Sequence, residues 1–436
     1  MIMLRILLLL FLLVACSPAL AQTTGSRLST LPQHVGIGLI NNNGDVAWMT
    51  GTSTPWDYRY TYFNPGWKTA DSNLMAQHYV SDSFTNNYVP VVTWYEMANG
   101  YYTGTFVAQL TSLNTPSTMN TYFGDFVLLL QRLTSVSNPS NKPIVVHLEP
   151  DLWGFIQQHS WDPTATPAAV ASSGYAGLSG FANNAAGFAQ ALVYLRNTYA
   201  PNVILAWHAS LWGPNNGYSP TRVGPPSYQS PTTTGGAVGD FYNALNAAFD
   251  LMFHDVSDMD SAFYVANCNT SQNIQRGWWD NTAFTNFETY IGAIYSKTTV
   301  KNVLWQTPEG NTLYRTDNNT SGHYQDNRAQ YFLLPANRQH INDFFTNAGM
   351  WAILYGGGQV SPYSQCNSTQ TDTFHYDFMA DGITNPAPII GNPYSTTADN
   401  TLVSSYSDDD GGFIRLNGAT YLSNPIPFAS TSCPGP

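Results

Sequence analysis

Lys142-Pro143-Ile144-Val145-Val146-His147-Leu148-Glu149-Pro150-Asp151-Leu152-Trp153-Gly154 is a short apolar run cut off by a proline and followed at once by an acid and an aromatic residue. Side chains alternate between the two faces of a strand. Read as a strand, the run turns Ile144, Val146 and Leu148 towards surrounding helices, and Val145, His147 and Glu149 towards the interior of a barrel. Pro150 ends it, because proline donates no ladder hydrogen bond.

Seven further runs of the same kind flank residues 143–148, at 35–40, 58–63, 89–95, 203–208, 250–254, 302–306 and 350–355. Amphipathic stretches separate several of them, at 121–133, 181–198, 286–295 and 328–346. Apolar runs alternating with helical stretches are the signature of βα units on a parallel sheet. Eight such units predict an α/β fold, a (β/α)8 TIM-type barrel with long loops. The run Asp57-Tyr58-Arg59-Tyr60-Thr61-Tyr62-Phe63 also reads as a hairpin or loop, and without it a doubly wound sheet takes the barrel's place. Long loops rich in Gly, Pro and Asn follow strands at 211–239 and 307–326, on the face where barrels keep their active sites.

The domain reading is a signal peptide at 1–21, a barrel at 32–385 and an extension at 386–436 packed on it, with a short hairpin at 412–422. Asp408-Asp409-Asp410-Gly411 in that extension reads as a solvated acidic turn rather than a calcium loop. Arg5 followed by the apolar run 6–15 has the form of a secretory leader too short to span a bilayer. Two cleavage readings compete. Leu13-Val14-Ala15-Cys16 fits a lipobox, with a lipid anchor on Cys16, and Ala19-Leu20-Ala21 before Gln22 fits an ordinary signal peptidase site. Either way the expected location is extracytoplasmic: secreted, or periplasmic as a cell-envelope lipoprotein. After cleavage at Gln22, Cys268, Cys366 and Cys433 remain, enough for one intramolecular disulfide whose pairing spacing does not decide.

The chain carries a net charge of −12, which becomes −13 once the leader takes away Arg5. Such a charge argues against nucleic acid and against an acidic polymer as partner. Aromatic residues make up 14% of the sequence and charged ones 10%, with Asn, Thr, Ser and Gly filling the gap. That surface suits a neutral carbohydrate, held by hydrogen bonds to its hydroxyls and by aromatic faces on its C–H patches. A monomer without transmembrane segment, metal or cofactor is the expectation.

Glu149 and Asp151 stand at the end of the fourth strand beside Trp153, and two carboxylates so close raise one proton affinity, as a general acid near neutral pH requires. The plain alternative for Asp151 is a cap on the following helix. On the fifth strand Val203, Leu205 and Trp207 face out while Ala206, His208 and Ser210 face in, so His208 points to the mouth, ahead of Trp212 on a glycine-flanked loop. A hydrogen-bonded core histidine is the alternative there. The seventh strand ends in Trp305-Gln306-Thr307-Pro308-Glu309, another carboxylate just past an apolar run. Glu149 and Glu309 would flank one glycosidic bond, as acid/base and nucleophile at about 5 Å, or as acid and water-activating base at roughly 6.5 to 9.5 Å. Asp255, after His254, reads as a substrate-binding or base residue, and Glu96 is a further candidate at the end of the third strand.

These features resemble a barrel glycoside hydrolase, and residues 143–213 resemble the family-six cellulases in particular. The matching order is Glu149-Pro150-Asp151, then Asn202-Val203-Ile204-Leu205-Ala206-Trp207-His208, then Trp212-Gly213. That resemblance implies an inverting mechanism with Asp151 rather than Glu149 as proton donor. The Lys-Pro-Gly-Gly stretch of that family is missing, and the retaining glycosidases, which usually carry Asn before the acid, meet Leu148 here. The expected function is hydrolysis of glycosidic bonds in a neutral poly- or oligosaccharide, with Glu149, Asp151 and Glu309 catalytic and His208, Asp255, Trp153, Trp212, Trp305 and Glu96 binding substrate. Two other readings keep the scaffold: a non-catalytic glycan-binding protein, and a metal-dependent carbohydrate esterase using His254, Asp255 and His208.

Overall fold

The computed structural model describes residues 24–97, 106–139, 141–214, 230–256, 279, 281–308, 328–356 and 413–428. Within them each of the eight apolar runs is a strand: β1 (Gly36–Ile40), β2 (Tyr58–Phe63), β3 (Val89–Trp94), β4 (Val145–Leu148), β5 (Ile204–Ala209), β6 (Leu251–Asp255), β7 (Lys301–Pro308) and β8 (Met350–Gly356). Neighbours pair in parallel in chain order, and β8 pairs back onto β1 to close the barrel. The chain is therefore a (β/α)8 TIM barrel. β2, which also reads as a loop in the sequence, is a full strand, registered on β3 from Tyr58↔Val89 to Phe63↔Trp94.

Alternation along the strands divides the core in two. Ile37, Leu39, Val92, Trp94, Val146, Leu148, Leu205, Trp207, Met252 and Leu304 pack outward under the helices. Tyr58, Tyr60, Val91, Val145, Ile204, Ala206, Phe253, Val303, Trp305 and Leu354 fill the lumen. The split of β4 and β5 matches the period-two reading through Leu148 and Ala206. On β1 the lumen positions are Gly36 and Gly38, and a Cβ on Gly38 would stand 2.5 Å from Tyr58 Cβ. Glycine there makes room for the tyrosines of β2.

The longer helices are α1 (Met75–Thr85), α2 (Pro116–Thr134), α3 (Pro150–His159), α4 (Ala185–Tyr199), α5 (Pro231–Ala244), α6 (Asn281–Thr298), α7 (Arg338–Ala348) and α8 (Phe413–Leu422), with shorter helices between, among them Phe106–Leu113. α4 begins after Asn184, whose side chain accepts from the Gly187 N–H at 2.8 Å and so caps the first turn. The amphipathic stretch 328–346 is not one helix. It runs as Arg328–Leu333, breaks at an extended Leu334, and resumes through Pro335–Asn337 into α7. Pro335 is the cause, since the residue before a proline is pushed out of the helical region.

The hairpin expected at 412–422 is the helix α8. Its buried positions Ile414, Asn417, Gly418 and Tyr421 recur at helical spacing, and the Tyr421 hydroxyl donates to Val35 O at 2.8 Å, pinning the helix to the start of β1. A strand-like contact follows it instead, with Pro427 bridging His34. At the opposite end of the barrel from the mouth, Asp250 joins two buried guanidinium groups, Arg27 and Arg196, each at 2.5 Å, and accepts the Leu205 N–H. Among the described residues no helix is long and apolar enough to cross a membrane. The leader, Cys16, Cys268, Cys366, Cys433, the acidic turn at 408–410 and Glu309 lie outside the described residues.

Candidate active site

Glu149 does not continue the alternation of β4. Its backbone is left-handed (φ 46°, ψ 68°), because Pro150 starts α3 and the chain must turn from strand to helix at this residue. The side chain therefore leaves the lumen side expected of it. Its carboxylate is fully buried, accepts the N–H groups of Glu96 (3.2 Å) and Met97 (3.0 Å), and is hydrogen-bonded to Tyr122 of α2. Burial pushes its carboxyl up to about 8, against the pull of the Met97 N–H, and the charge of Glu96 adds to the rise. Glu96 lies beside it, also buried, and is pushed up to about 7 by desolvation and by Asp125, which Lys68 partly offsets. The two glutamates form a pair behind the rim, not in the mouth.

Trp153 is likewise away from the mouth. Residues three and four apart in α3 share the face that meets the barrel wall, and Trp153 is on that face, packed at 5.6 Å from Phe188 and 5.9 Å from Trp207. Its indole N–H donates to Leu148 O at 3.0 Å. The substrate-binding role expected of it gives way to a packing role.

Asp151, in the first turn of α3, is half-buried at the carboxyl end of the barrel. Its carboxylate accepts a hydrogen bond from the Tyr95 hydroxyl. Burial holds the Asp151 carboxyl above the usual carboxylate range, and the Tyr95 bond offsets part of the rise. Burial, reinforced by the charge of Asp151, in turn raises the Tyr95 phenol. Tyr95 packs at 6.4 Å from Tyr62, which lies 5.7 Å from Trp305 and accepts from the Gln306 side chain. Gln306 reaches the mouth through a bulge in β7, where its own φ is 49°. Trp305 is buried as the floor of this aromatic ring, 4.7 Å from His147 and 5.5 Å from His208.

His208 and Asp255 complete the mouth on β5 and β6. His208 Nε2 lies 3.9 Å from Asp255 Oδ1, which accepts the Leu211 N–H at 2.8 Å. His208 Nδ1 is 2.9 Å from His147 Nε2. His208 is thus both a hydrogen-bonded core histidine and a group facing the mouth. Trp212 is half-buried, packed 4.7 Å from Phe155, and a Cβ on Gly154 would come within 2.8 Å of its ring. His254 has the opposite orientation: it shares the outer face of β6 with Met252, and its Nε2 is 2.7 Å from Asn302 Oδ1. The esterase set of His254, Asp255 and His208 is therefore not brought together. Among the described residues no three His, Cys, Asp or Glu side chains are placed to hold a metal ion.

Of the expected residues the structure gathers Asp151, His208, Asp255 and Trp305 at one mouth, with Trp212 on the α3 side. It sets Glu149, Glu96 and Trp153 behind the wall. Tyr62, Tyr95 and Gln306 were not singled out in the sequence. Two-residue spacing signals the tyrosines, since Tyr62 follows lumen-facing Tyr60 and Tyr95 follows Thr93, but nothing local signals the bulge that turns Gln306 inward.

Fold and site together define a (β/α)8 barrel with an aromatic, acid-bearing mouth at the carboxyl ends of its strands. No protein-family model matches the chain, and no curated protein sequence matches it. Among solved structures, a GH26-CBM35 β-(1,4)-mannanase from Podospora anserina is 12% identical over 77% of this chain, with a TM-score of 0.34, and this chain spans 61% of its length. A family 1 β-glucosidase from Thermotoga maritima is 11% identical over 71% of this chain and 76% of its own, with a TM-score of 0.38. A thermostable chitinase domain from Pyrococcus furiosus is 10% identical over 78% and 92%, with a TM-score of 0.36. These barrels resemble the chain at low identity and assign it to no family. The fold itself rests on the strand pairing.

Proposed function

We propose that the protein is an exported, monomeric glycoside hydrolase acting on a neutral poly- or oligosaccharide, with Asp151 as the proton donor. The observation that carries this reading is the state of Asp151: a half-buried carboxyl with raised proton affinity, held by Tyr95 at the edge of an aromatic mouth. A carboxyl kept protonated closer to neutral pH can deliver its proton to a leaving glycosidic oxygen. Tyr62, Tyr95 and Trp212 supply faces for sugar C–H patches, and His208, Gln306 and Asp255 supply hydrogen-bonding groups. The second carboxylate is Asp255 or Glu309, acting as nucleophile or as base on water. Glu149 takes no part in proton transfer to substrate in this scheme, because its carboxylate is enclosed behind β3 and β4. Export follows from the leader, with either Cys16 or Gln22 as the first mature residue.

The test is a panel of neutral polysaccharides with product anomers read by NMR, on the wild type and on Asp151→Asn, Asp255→Asn and Glu309→Gln. Asp151→Asn is expected to lose on the order of 10²- to 10⁴-fold in kcat while still binding the glycan. Full turnover in that variant on a substrate the wild type cleaves would remove Asp151 from the role. Binding without cleavage by the wild type would make the protein a glycan-binding module.

A further inference from the structure

Four polar side chains cross the lumen in a line, one from each of four adjacent strands. Thr93 Oγ1 (β3) is 3.2 Å from His147 Nδ1 (β4), His147 Nε2 is 2.9 Å from His208 Nδ1 (β5), and His208 Nε2 faces Asp255 Oδ1 (β6) at 3.9 Å. Thr93 and His147 are fully buried and His208 is 1% exposed. His147 is also stacked on Phe253 at 4.4 Å with its edge against Trp305, so its ring plane is fixed.

Burial pushes both imidazoles well below their usual range; the charge of His208 further lowers His147, and that of His254, outside the line on the outer face of β6, further lowers His208. Both rings are therefore neutral near neutral pH, with one N–H and one lone pair each. A 2.9 Å contact between two neutral rings requires a donor and an acceptor, so the direction of that one bond sets both tautomers. In one arrangement the Thr93 hydroxyl donates to His147 Nδ1, His147 Nε2–H donates to His208 Nδ1, and His208 Nε2–H faces Asp255. In the other every direction is reversed, and the His208 Nε2 lone pair faces the carboxylate. Asp255 Oδ1 already accepts the Leu211 N–H at 2.8 Å, so the oxygen nearest His208 is a hydrogen-bond acceptor. A lone pair aimed at a carboxylate is repelled, whereas an N–H is attracted, and the first arrangement prevails.

We propose that Thr93 and His147 are positioning residues that lock His208 in its neutral Nε2–H tautomer, with that N–H presented to Asp255 at the mouth. Donor and acceptor then stand side by side at 3.9 Å, a separation that one hydroxyl oxygen would bridge at ordinary hydrogen-bond distances of about 2.8 Å from each. The hydroxyl accepts from His208 and donates to Asp255. This use of the pair rests on the glycan reading above; the tautomers themselves do not.

The experiment is therefore independent of activity. Full-length protein with ¹⁵N-labelled histidine is studied by long-range ¹H–¹⁵N correlation near neutral pH, and coupling across the hydrogen bond between ring nitrogens identifies the His147–His208 pair. The expected spectrum shows pyridine-type Nδ1 and pyrrole-type Nε2 in both rings. Thr93→Val is expected to move the His147 Nδ1 resonance towards that of an unbonded pyridine-type nitrogen while Nε2 stays pyrrole-type, and Thr93→Ser, which keeps the hydroxyl, is expected to leave it in place. A pyrrole-type Nδ1 or an imidazolium in either ring of the wild type overturns the proposal without any variant, as does a His147 Nδ1 signal unmoved by Thr93→Val. An inactive protein with the expected spectrum would count against the glycosidase reading and leave the tautomer assignment standing.

Discussion

Replacing Glu149 by Gln is expected to flatten the dependence of stability on pH. Glu149 has a usual carboxyl value of 4.5 when exposed and about 8 in the folded chain, with burial as the main cause. A folded-state value above the unfolded one means that the native chain holds the proton more tightly between these two limits. The stability this contributes is present in full below about pH 4.5 and is lost as the pH rises through about 8. At about 1.4 kcal/mol for each pH unit, the 3.5 units between them amount to roughly 5 kcal/mol. Glu96, raised from 4.5 to about 7, adds a loss of the same sign. Glutamine has the same shape, keeps an oxygen for the Glu96 and Met97 N–H groups, and cannot ionise. Urea unfolding of wild type and Glu149→Gln at pH values on either side of this window measures the difference directly. The wild type is expected to lose on the order of 4 kcal/mol more than the variant between the acidic and alkaline ends, and the variant to be the more stable of the two at the alkaline end. Parallel curves for the two proteins would refute the placement of Glu149 as a buried, protonated carboxyl.

Two further outcomes test the mouth and the barrel separately. Tyr95→Phe removes the hydroxyl that stabilises the charged form of Asp151, so the Asp151 carboxyl rises further and the alkaline limb of the pH–rate profile moves to higher pH; a profile unmoved by the substitution would disconnect Tyr95 from the acid. Gly38→Ala places a Cβ 2.5 Å from Tyr58 Cβ and 2.7 Å from the Tyr58 carbonyl oxygen, which the backbone of β2 cannot easily yield. It is expected to cost about 1–3 kcal/mol or more, read as a lower unfolding midpoint, and a neutral effect would mean that the lumen is less tightly filled than these distances imply.

The barrel was legible in the sequence because its determinants are local. Each strand is an apolar run of a few residues, and the period-two split of β4 and β5 into outer and lumen faces follows from side-chain alternation alone. β2 was ambiguous for a physical reason: Tyr58, Arg59, Tyr60, Thr61 and Tyr62 give it polar atoms on both faces, and only the surroundings decide. Arg59 is buried outside the barrel against Asn41, Asn42 and Ser83, and Tyr60 is buried inside it under Gly356. In α8 the glycine and threonine suggest a turn, whereas helical spacing of Ile414, Gly418 and Tyr421 against Trp56 and Val35 selects the helix. Tertiary contact outweighed local propensity there.

The site was legible only as far as the strand period runs. Alternation reaches His147 and His208 and correctly turns both inward, but carried one step further it sends Glu149 into the lumen. Pro150 fixes the start of α3, Glu149 must make the turn, and a positive φ swings its side chain out of register. The Glu96 and Met97 N–H groups then take its carboxylate, and the acid left facing the mouth is the one two residues on. In a strand-to-helix junction of the form Glu-Pro-Asp the first carboxyl is therefore free to serve the wall and the second the mouth. The same sequence that makes two acids adjacent in the chain separates their environments. Glu149 is enclosed and bound to backbone, whereas Asp151 is half-buried and bound to a phenol that itself lines the mouth. In the proposed reading, that division distinguishes a proton held for the fold from one available to a substrate.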